Sequence, residues 1–278
     1  VQVPIIQDTL GLKLFAANDQ HDGHVYSTGL NTDVGGDDKA NYGFAALWSP
    51  SDSFNMKLHY EVMKDKSEQG VYTNRNIVGE LACTITQIGF DPNNGCEKDA
   101  NDGPDVTESD SANYSDNSYK STILTANYDT DSLLYTYIYS QRDMDEENLQ
   151  DFDGSAADLL SMNFFNDWKQ TSHEFRITSQ FSETFQFIAG IYDWESDFKQ
   201  RWDVYDLFYQ LSRLGVPPWG TGRQGVAGYS DVFPWESDVA GNNGQTQITT
   251  STALFFSGDW YVNDQWTATL GFRRTKEE

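Results

Sequence analysis

The sequence predicts an all-β fold, an antiparallel barrel whose strands cross a membrane, on three observations. Apolar and polar residues alternate with period two in segment after segment. The connections between those segments are alternately tight and long. No run approaches the roughly 20 apolar residues of a spanning helix, and mean hydropathy is −0.62. A barrel turns only alternate residues toward lipid, so an average hydropathy like that of a soluble protein is compatible with it.

The alternation is clearest over 54–62, where Phe54, Met56, Leu58, Tyr60 and Val62 share one face and Asn55, Lys57, His59 and Glu61 the other. Trp266, Ala268, Leu270 and Phe272 alternate in the same way with Thr267, Thr269, Gly271 and Arg273. Leu10–Ala16, Tyr42–Trp48, His173–Thr178 and Phe185–Ile191 follow the same rule. Tyr119–Tyr128, Leu133–Gln141 and Ala253–Trp260 bring the expectation to 8–10 strands, part of a larger barrel. The best runs are near the 9–11 residues or so that a tilted membrane strand needs.

Tight connections fall at 49–53, 129–132, 180–184 and 262–265, all rich in Asp, Asn, Ser or Pro, which set turn geometry. Long polar connections are expected at about 19–38, 65–118, 142–170 and 193–245. Structureless loops beyond about 12–15 residues are uncommon in compact soluble domains. Four of them at one end of the hairpins match short periplasmic turns and long extracellular loops in a bacterial outer membrane. Alternation alone also fits a soluble sandwich, so a secreted carbohydrate-binding β-protein without transport activity is the alternative. In the barrel reading Lys57, Glu61, Glu174, Arg176 and Arg273 face the lumen, because a cation at the lipid midplane costs about 2–4 kcal/mol. The aromatic and aliphatic rows then meet outer-membrane lipid and lipopolysaccharide. Within the long loops, 204–215 (Val204, Leu207, Phe208, Leu211, Leu214, then Gly215) and 156–160 have helical spacing.

A net charge of −25 argues against nucleic acid, whose phosphates need clustered Lys and Arg. Aromatics make up 14% of the chain, which suits interfacial girdles or a sugar-binding surface. Cys83 and Cys96, close together in a polar stretch with no histidine beside them, are expected to form a disulfide in an oxidising compartment. Val1–Ile6 lacks the features of a signal peptide, and both ends read as cut from a longer chain. One domain, 1–278, is expected.

No nucleophile, P-loop or zinc-ligand motif is present, so the chain does not read as an enzyme, and no cofactor is expected. His21 and His24 around Asp22-Gly23 read as a turn before a metal site. The acidic runs 143–147 and 151–154 read as solvated charge, with calcium through oxygen ligands as the alternative. The substrate-binding candidates gather in 193–245: Trp202, Tyr205, Arg213, Trp219, Arg223, Tyr229 and Trp235, with Arg201 nearby. Aromatics supply rigid apolar area and Arg a bidentate grip on oxyanions, a mixture suited to an anionic iron chelate; stacking Trp suits a sugar equally. Packing of the loop onto itself is the plainer use of the same residues.

Several stretches also resemble the TonB-dependent outer-membrane receptors, in order and with similar spacing. Val3–Leu14 resembles the entry from the plug into the first barrel strands, and 45–52 (AALWSPSD) the strand and Pro-containing periplasmic turn. Ser172–Ser179 is similar to the S-x-E-x-R strand and Phe187–Tyr192 to the strand after it, while 253–273 resembles the hairpin ending in L-G-x-R. The resemblance implies a barrel of about 22 strands with a plugged lumen, energised by TonB with ExbB and ExbD. It also implies uptake of a small-molecule nutrient, a ferric siderophore ahead of an oligosaccharide or cobalamin. The plug itself has no counterpart in these residues.

Overall fold

The computed structural model describes residues 1–68, 70–75, 103, 105–111, 113–155, 160–179, 182–206 and 242–278. Ten strands form one antiparallel sheet: β1 (Gln2–Ile6), β2 (Leu10–His21), β5 (Asp37–Ser51), β6 (Phe54–Asp65), β8 (Tyr114–Asp129), β9 (Leu133–Asp151), β10 (Leu160–Ser179), β11 (Phe185–Asp206), β12 (Asn242–Asn263) and β13 (Trp266–Glu277). Each pairs with the next in that order, with β1 and β13 at the edges. Three short strands, β3 (Val25–Ser27), β4 (Thr32–Val34) and β7 (Val106–Thr107), make a small separate sheet in the order β4-β3-β7.

Connections at one end of the large sheet are tight, at 7–9, 52–53, 130–132 and 264–265. In the first, Asp8 takes a left-handed conformation (φ 58°) and the Thr9 amide donates to the Ile6 carbonyl at 3.1 Å. Short polar side chains tolerate that conformation better than branched ones. At the opposite end the paired strands are separated by longer stretches of sequence, 22–36, 66–113, 152–159 and 207–241.

Register decides what the sheet presents. Leu12, Ala46, Leu58, Leu124 and Tyr139 fall in one cross-strand row. Toward the tight turns, Trp48 lies edge-on to Phe54 (5.8 Å), and Tyr128 approaches Tyr135 at 6.3 Å. Further along the sheet Phe187 stacks on Phe256 at 6.1 Å. At the other margin of the band the Tyr137 hydroxyl meets His173 Nδ1 at 2.8 Å. The result is a continuous apolar face with aromatic borders. The lumen row runs between its members, and there Arg176 pairs with Glu174 at 3.4 Å.

A sandwich would bury the apolar row between two sheets. Here Phe175 and Ile191, on interior strands, are 41% and 43% exposed and Leu254 is 55% exposed. Val25, Val34, Val62 and Ala253 are the buried hydrophobic residues among those described. No second sheet stacks on the first among the described residues, so the row has no protein core to enter. Hydrocarbon is the environment that makes such a face stable. The soluble-sandwich alternative does not survive this arrangement.

The strands continue beyond the expected loop boundaries. β9 runs to Asp151 and β10 begins at Leu160, while β11 runs to Asp206 and β12 begins at Asn242. An apolar band about 25 Å tall takes roughly ten residues of a strand tilted about 40°. The 22 residues each of β11 and β12 therefore project well past the band at the long-loop end. The expected loops at 142–170 and 193–245 are thus largely hydrogen-bonded barrel wall near their ends. The helical spacing at 204–215 begins inside β11, where Val204 pairs with Met162. Its remainder, 207–215, and residues 156–159 lie outside the described residues.

Candidate functional site: an aromatic and carboxamide wall facing the lumen

The pattern in β11 explains the early boundary. Within the band, odd-numbered residues are apolar and outward: Phe185, Phe187, Ala189 and Ile191. Above it the phase reverses. Asp193, Glu195, Asp197, Lys199, Arg201 and Asp203 occupy the outward positions, and Tyr192, Trp194, Phe198 and Trp202 the inward ones. Outside the bilayer the outer surface meets water, so charge belongs there, and the lumen becomes the place where large apolar rings can meet a ligand. Reversal of phase marks the membrane boundary and leaves the ladder unbroken.

Register assembles the inward residues of five strands into rows. One contains Tyr119, Met144, Trp168, Phe198 and Gln247. The Trp168 indole N–H donates to Ser196 Oγ at 2.7 Å, which fixes the ring across the wall. The next row contains Asn117, Glu146, Asn166, Gln200 and Gln245. Its side chains form a hydrogen-bonded line: Gln245 Nε2 donates to Gln200 Oε1 (3.1 Å), Gln200 Nε2 to Asn166 Oδ1 (2.9 Å) and Asn166 Nδ2 to Glu146 Oε2 (2.9 Å). The Tyr119 hydroxyl donates to the other oxygen of Glu146. Above this line Phe164 meets Trp202 edge-on at 6.4 Å, and Phe152 and Tyr72 extend the aromatic contacts toward the loops. Rings held by neighbours and amides held by one another lose little freedom on binding, which favours recognition of a small ligand.

Of the candidates read from sequence, Trp202 stands on this wall and is 37% exposed. Tyr205 belongs to β11 and pairs with Ser161; its side chain lies outside the described residues. Arg213, Trp219, Arg223, Tyr229 and Trp235 lie outside the described residues, as do Cys83 and Cys96. Arg201 faces the other way. Its guanidinium sits 3.9 Å over the Phe165 ring and 3.3 Å from Asp203, on the outer surface. The residues missed by sequence reasoning are Tyr119, Trp168, Trp194, Phe198 and the amide line. The strict alternation of charge over 193–203 was the signal that could have found those in β11.

The pleat also separates the acidic run at 143–147. Asp143, Asp145 and Glu147 point outward and Glu146 inward, so the four carboxylates do not converge. The pair at 151 and 153 organises loops. Asp151, 1% exposed, accepts the Asp153 and Gly154 amides on Oδ1 (3.0 and 3.1 Å) and the Ser109 hydroxyl on Oδ2 (2.5 Å). Its own amide donates to Asn113 Oδ1 at 2.7 Å. Burial, with repulsion from Asp153 added, pushes the Asp151 carboxyl up to about 6. In the first loop His21 contacts the Asp22 carbonyl (2.7 Å) and Asp37 (2.6 Å), and these acceptors raise its pKa. Lys39, 2.5 Å from Asp37, draws that carboxyl down to about 2.

A single antiparallel meander with an apolar outer band, tight turns at one end and an extended wall at the other is the architecture of an outer-membrane β-barrel wall. Solved structures agree. The chain is similar to the ferric yersiniabactin uptake receptor FyuA from Yersinia pestis, with a TM-score of 0.65 and 12% identity over 99% of this chain and 40% of that one. It is similar to FpvA of P. aeruginosa, solved with heterologous pyoverdines bound, with a TM-score of 0.61 and 9% identity over 99% of this chain and 34% of that one. The copper transporter OprC matches at 0.55 with 13% identity, over 97% of this chain and 32% of that one. The fold is thus the barrel fold that the family resemblance implied, and the chain spans about 40% of the length of the first of these receptors. No family model and no curated protein matches the sequence.

Proposed function

We propose that this chain is part of an outer-membrane receptor and transporter that captures a scarce nutrient at its extracellular mouth and passes it inward through the barrel. The observation that carries this reading is the reversal of the apolar phase. The same strands present outward apolar residues within the band and inward rings above it, a pattern that supports a ligand-sized apolar surface at the entrance of a membrane pore. A transport role in place of an enzymatic one accords with neighbours named as uptake receptors and transporters.

The cargo we infer is a ferric siderophore, in keeping with neighbours named for ferric yersiniabactin and pyoverdine. Energy for its passage comes from TonB with ExbB and ExbD, through a plug in the lumen. Outer-membrane lipid contacts the apolar band, and lipopolysaccharide contacts the charged outer surface above it. We also infer a disulfide between Cys83 and Cys96, which fall between β6 and β8 in the sequence. The test is uptake of radiolabelled ferric chelates by cells carrying or lacking the intact gene. Loss of uptake on deletion, restored by the gene, supports the proposal. An intact protein that stays soluble without detergent defeats it.

A further inference from the structure

Along the inward faces of β8 to β12 the described cations are Arg176 and Arg142. Arg176 is paired with Glu174 on its own strand. Arg142 is exposed and has no ion pair among the described residues. Its position is specific. It occupies the row directly below Met144 and Trp168, flanked by Ser121 and Gln170, with Ser196 next in the row. Ser196 holds the Trp168 indole, so the ring leans from its own row toward that of Arg142.

Lys169, Lys199 and Arg201 of the upper wall face outward and have carboxylate neighbours: Lys169 with Asp167 (4.0 Å), Lys199 with Asp197 (3.8 Å) and Arg201 with Asp203 (3.3 Å). Glu146, the nearest acid along β9 on the inner face, is occupied by Tyr119 and Asn166. In a chain of net charge −25, Arg142 is thus the cation on the inner face of β8 to β12 without an ion pair among the described residues, and it lies beneath the aromatic shelf; Glu61, beyond Ser121 in the same row, is held by Asn41 and His59.

We propose that Arg142 is an anion-binding residue of this receptor, gripping an oxyanion of the cargo (carboxylate or catecholate) while the cargo's ring rests on Trp168 and Phe198. This rests on the receptor reading above and adds the charge of the ligand and the residue that reads it. A planar guanidinium presents paired N–H donors that match two oxygens at once, which an ammonium does not. The acidic outer surface around the mouth repels anions, so an inward cation confers selectivity only on a ligand already at the wall.

The experiment uses the intact receptor in detergent and two probes of similar size, a polyanionic ferric tris-catecholate and an uncharged ferric tris-hydroxamate. Binding is read by tryptophan quenching at low and high salt. Wild type is expected to prefer the anionic probe, and Arg142→Gln to lose about 10- to 100-fold in affinity for it, the range of a charge-assisted hydrogen bond. The same variant should keep its affinity for the uncharged probe within about twofold, which also shows that it is folded. Arg142→Lys should fall between, with a steeper salt dependence. An Arg142→Gln that binds the anionic probe as wild type does, or loses both probes equally, overturns the proposal while leaving the receptor reading intact. Wild type binding neither probe overturns the ferric cargo itself, and this inference with it.

Discussion

Replacing Leu124 with arginine, beside a control at Thr125, separates the lipid face from the lumen face in one experiment. Leu124 lies in the row of Leu12, Ala46, Leu58 and Tyr139, on the outward face of the apolar band. Thr125 is its neighbour in β8 and pairs across the lumen face with Lys57 and Ile138. An arginine at the bilayer midplane on the lipid face costs about 2–4 kcal/mol, whereas one facing a watery lumen costs little. The Leu124→Arg protein should therefore be less stable than Thr125→Arg by roughly 30- to 900-fold in the folding equilibrium. The assay is urea titration of the intact receptor folding into phospholipid vesicles, followed by tryptophan fluorescence, with band-shift on heating as the test of a closed barrel. Equal stability of the two variants, or a greater loss at Thr125, would refute the assignment of faces.

Three further outcomes follow from particular contacts. A Cβ on Gly43 would lie 2.1 Å from the Tyr60 carbonyl oxygen and 2.7 Å from the Phe15 ring, so Gly43→Val should destabilise the barrel by about 1–3 kcal/mol in the same titration. Because the folded Asp151 carboxyl titrates near 6 against an ordinary 3.8, the folded state binds the extra proton between those values. The loop junction should then be firmest below about pH 4 and loosen as pH rises through about 6. Hydrogen exchange at the Asp153 and Gly154 amides, corrected for intrinsic rate, measures this, and protection that instead grows with pH would reverse the sign. Trp168→Ala and Trp202→Ala should each weaken ferric-chelate binding, by about 5- to 30-fold if the rings stack on the cargo. Equilibrium binding to the purified receptor decides, and unchanged affinity in both variants removes the wall from recognition.

Period-two alternation is a local property, and a strand's faces can be read from it because successive side chains point to opposite sides. The outward row of β6, the tight turns at 52–53 and 130–132, and the unequal ends of the hairpins were all legible in this way. So was a large aromatic share seeking an interface. Legibility failed where the environment changed along a single strand. At Tyr192 the apolar residues move from odd to even positions, and a rule that follows one phase ends the strand there, although β11 continues to Asp206.

What the residues determined by themselves was the element type and the membrane-facing row, since each depends only on near neighbours and on the solvent each face prefers. Pairing decided the rest. Glu146, Asn166, Gln200 and Gln245 lie as much as 99 positions apart by number (245 against 146) and become one hydrogen-bonded line only in this register. Likewise Arg142 turns inward and Arg201 outward because a one-residue step in a strand exchanges faces. Neither residue's neighbours in the chain reveal which strand it will lie against, because cross-strand contact is a property of the whole sheet.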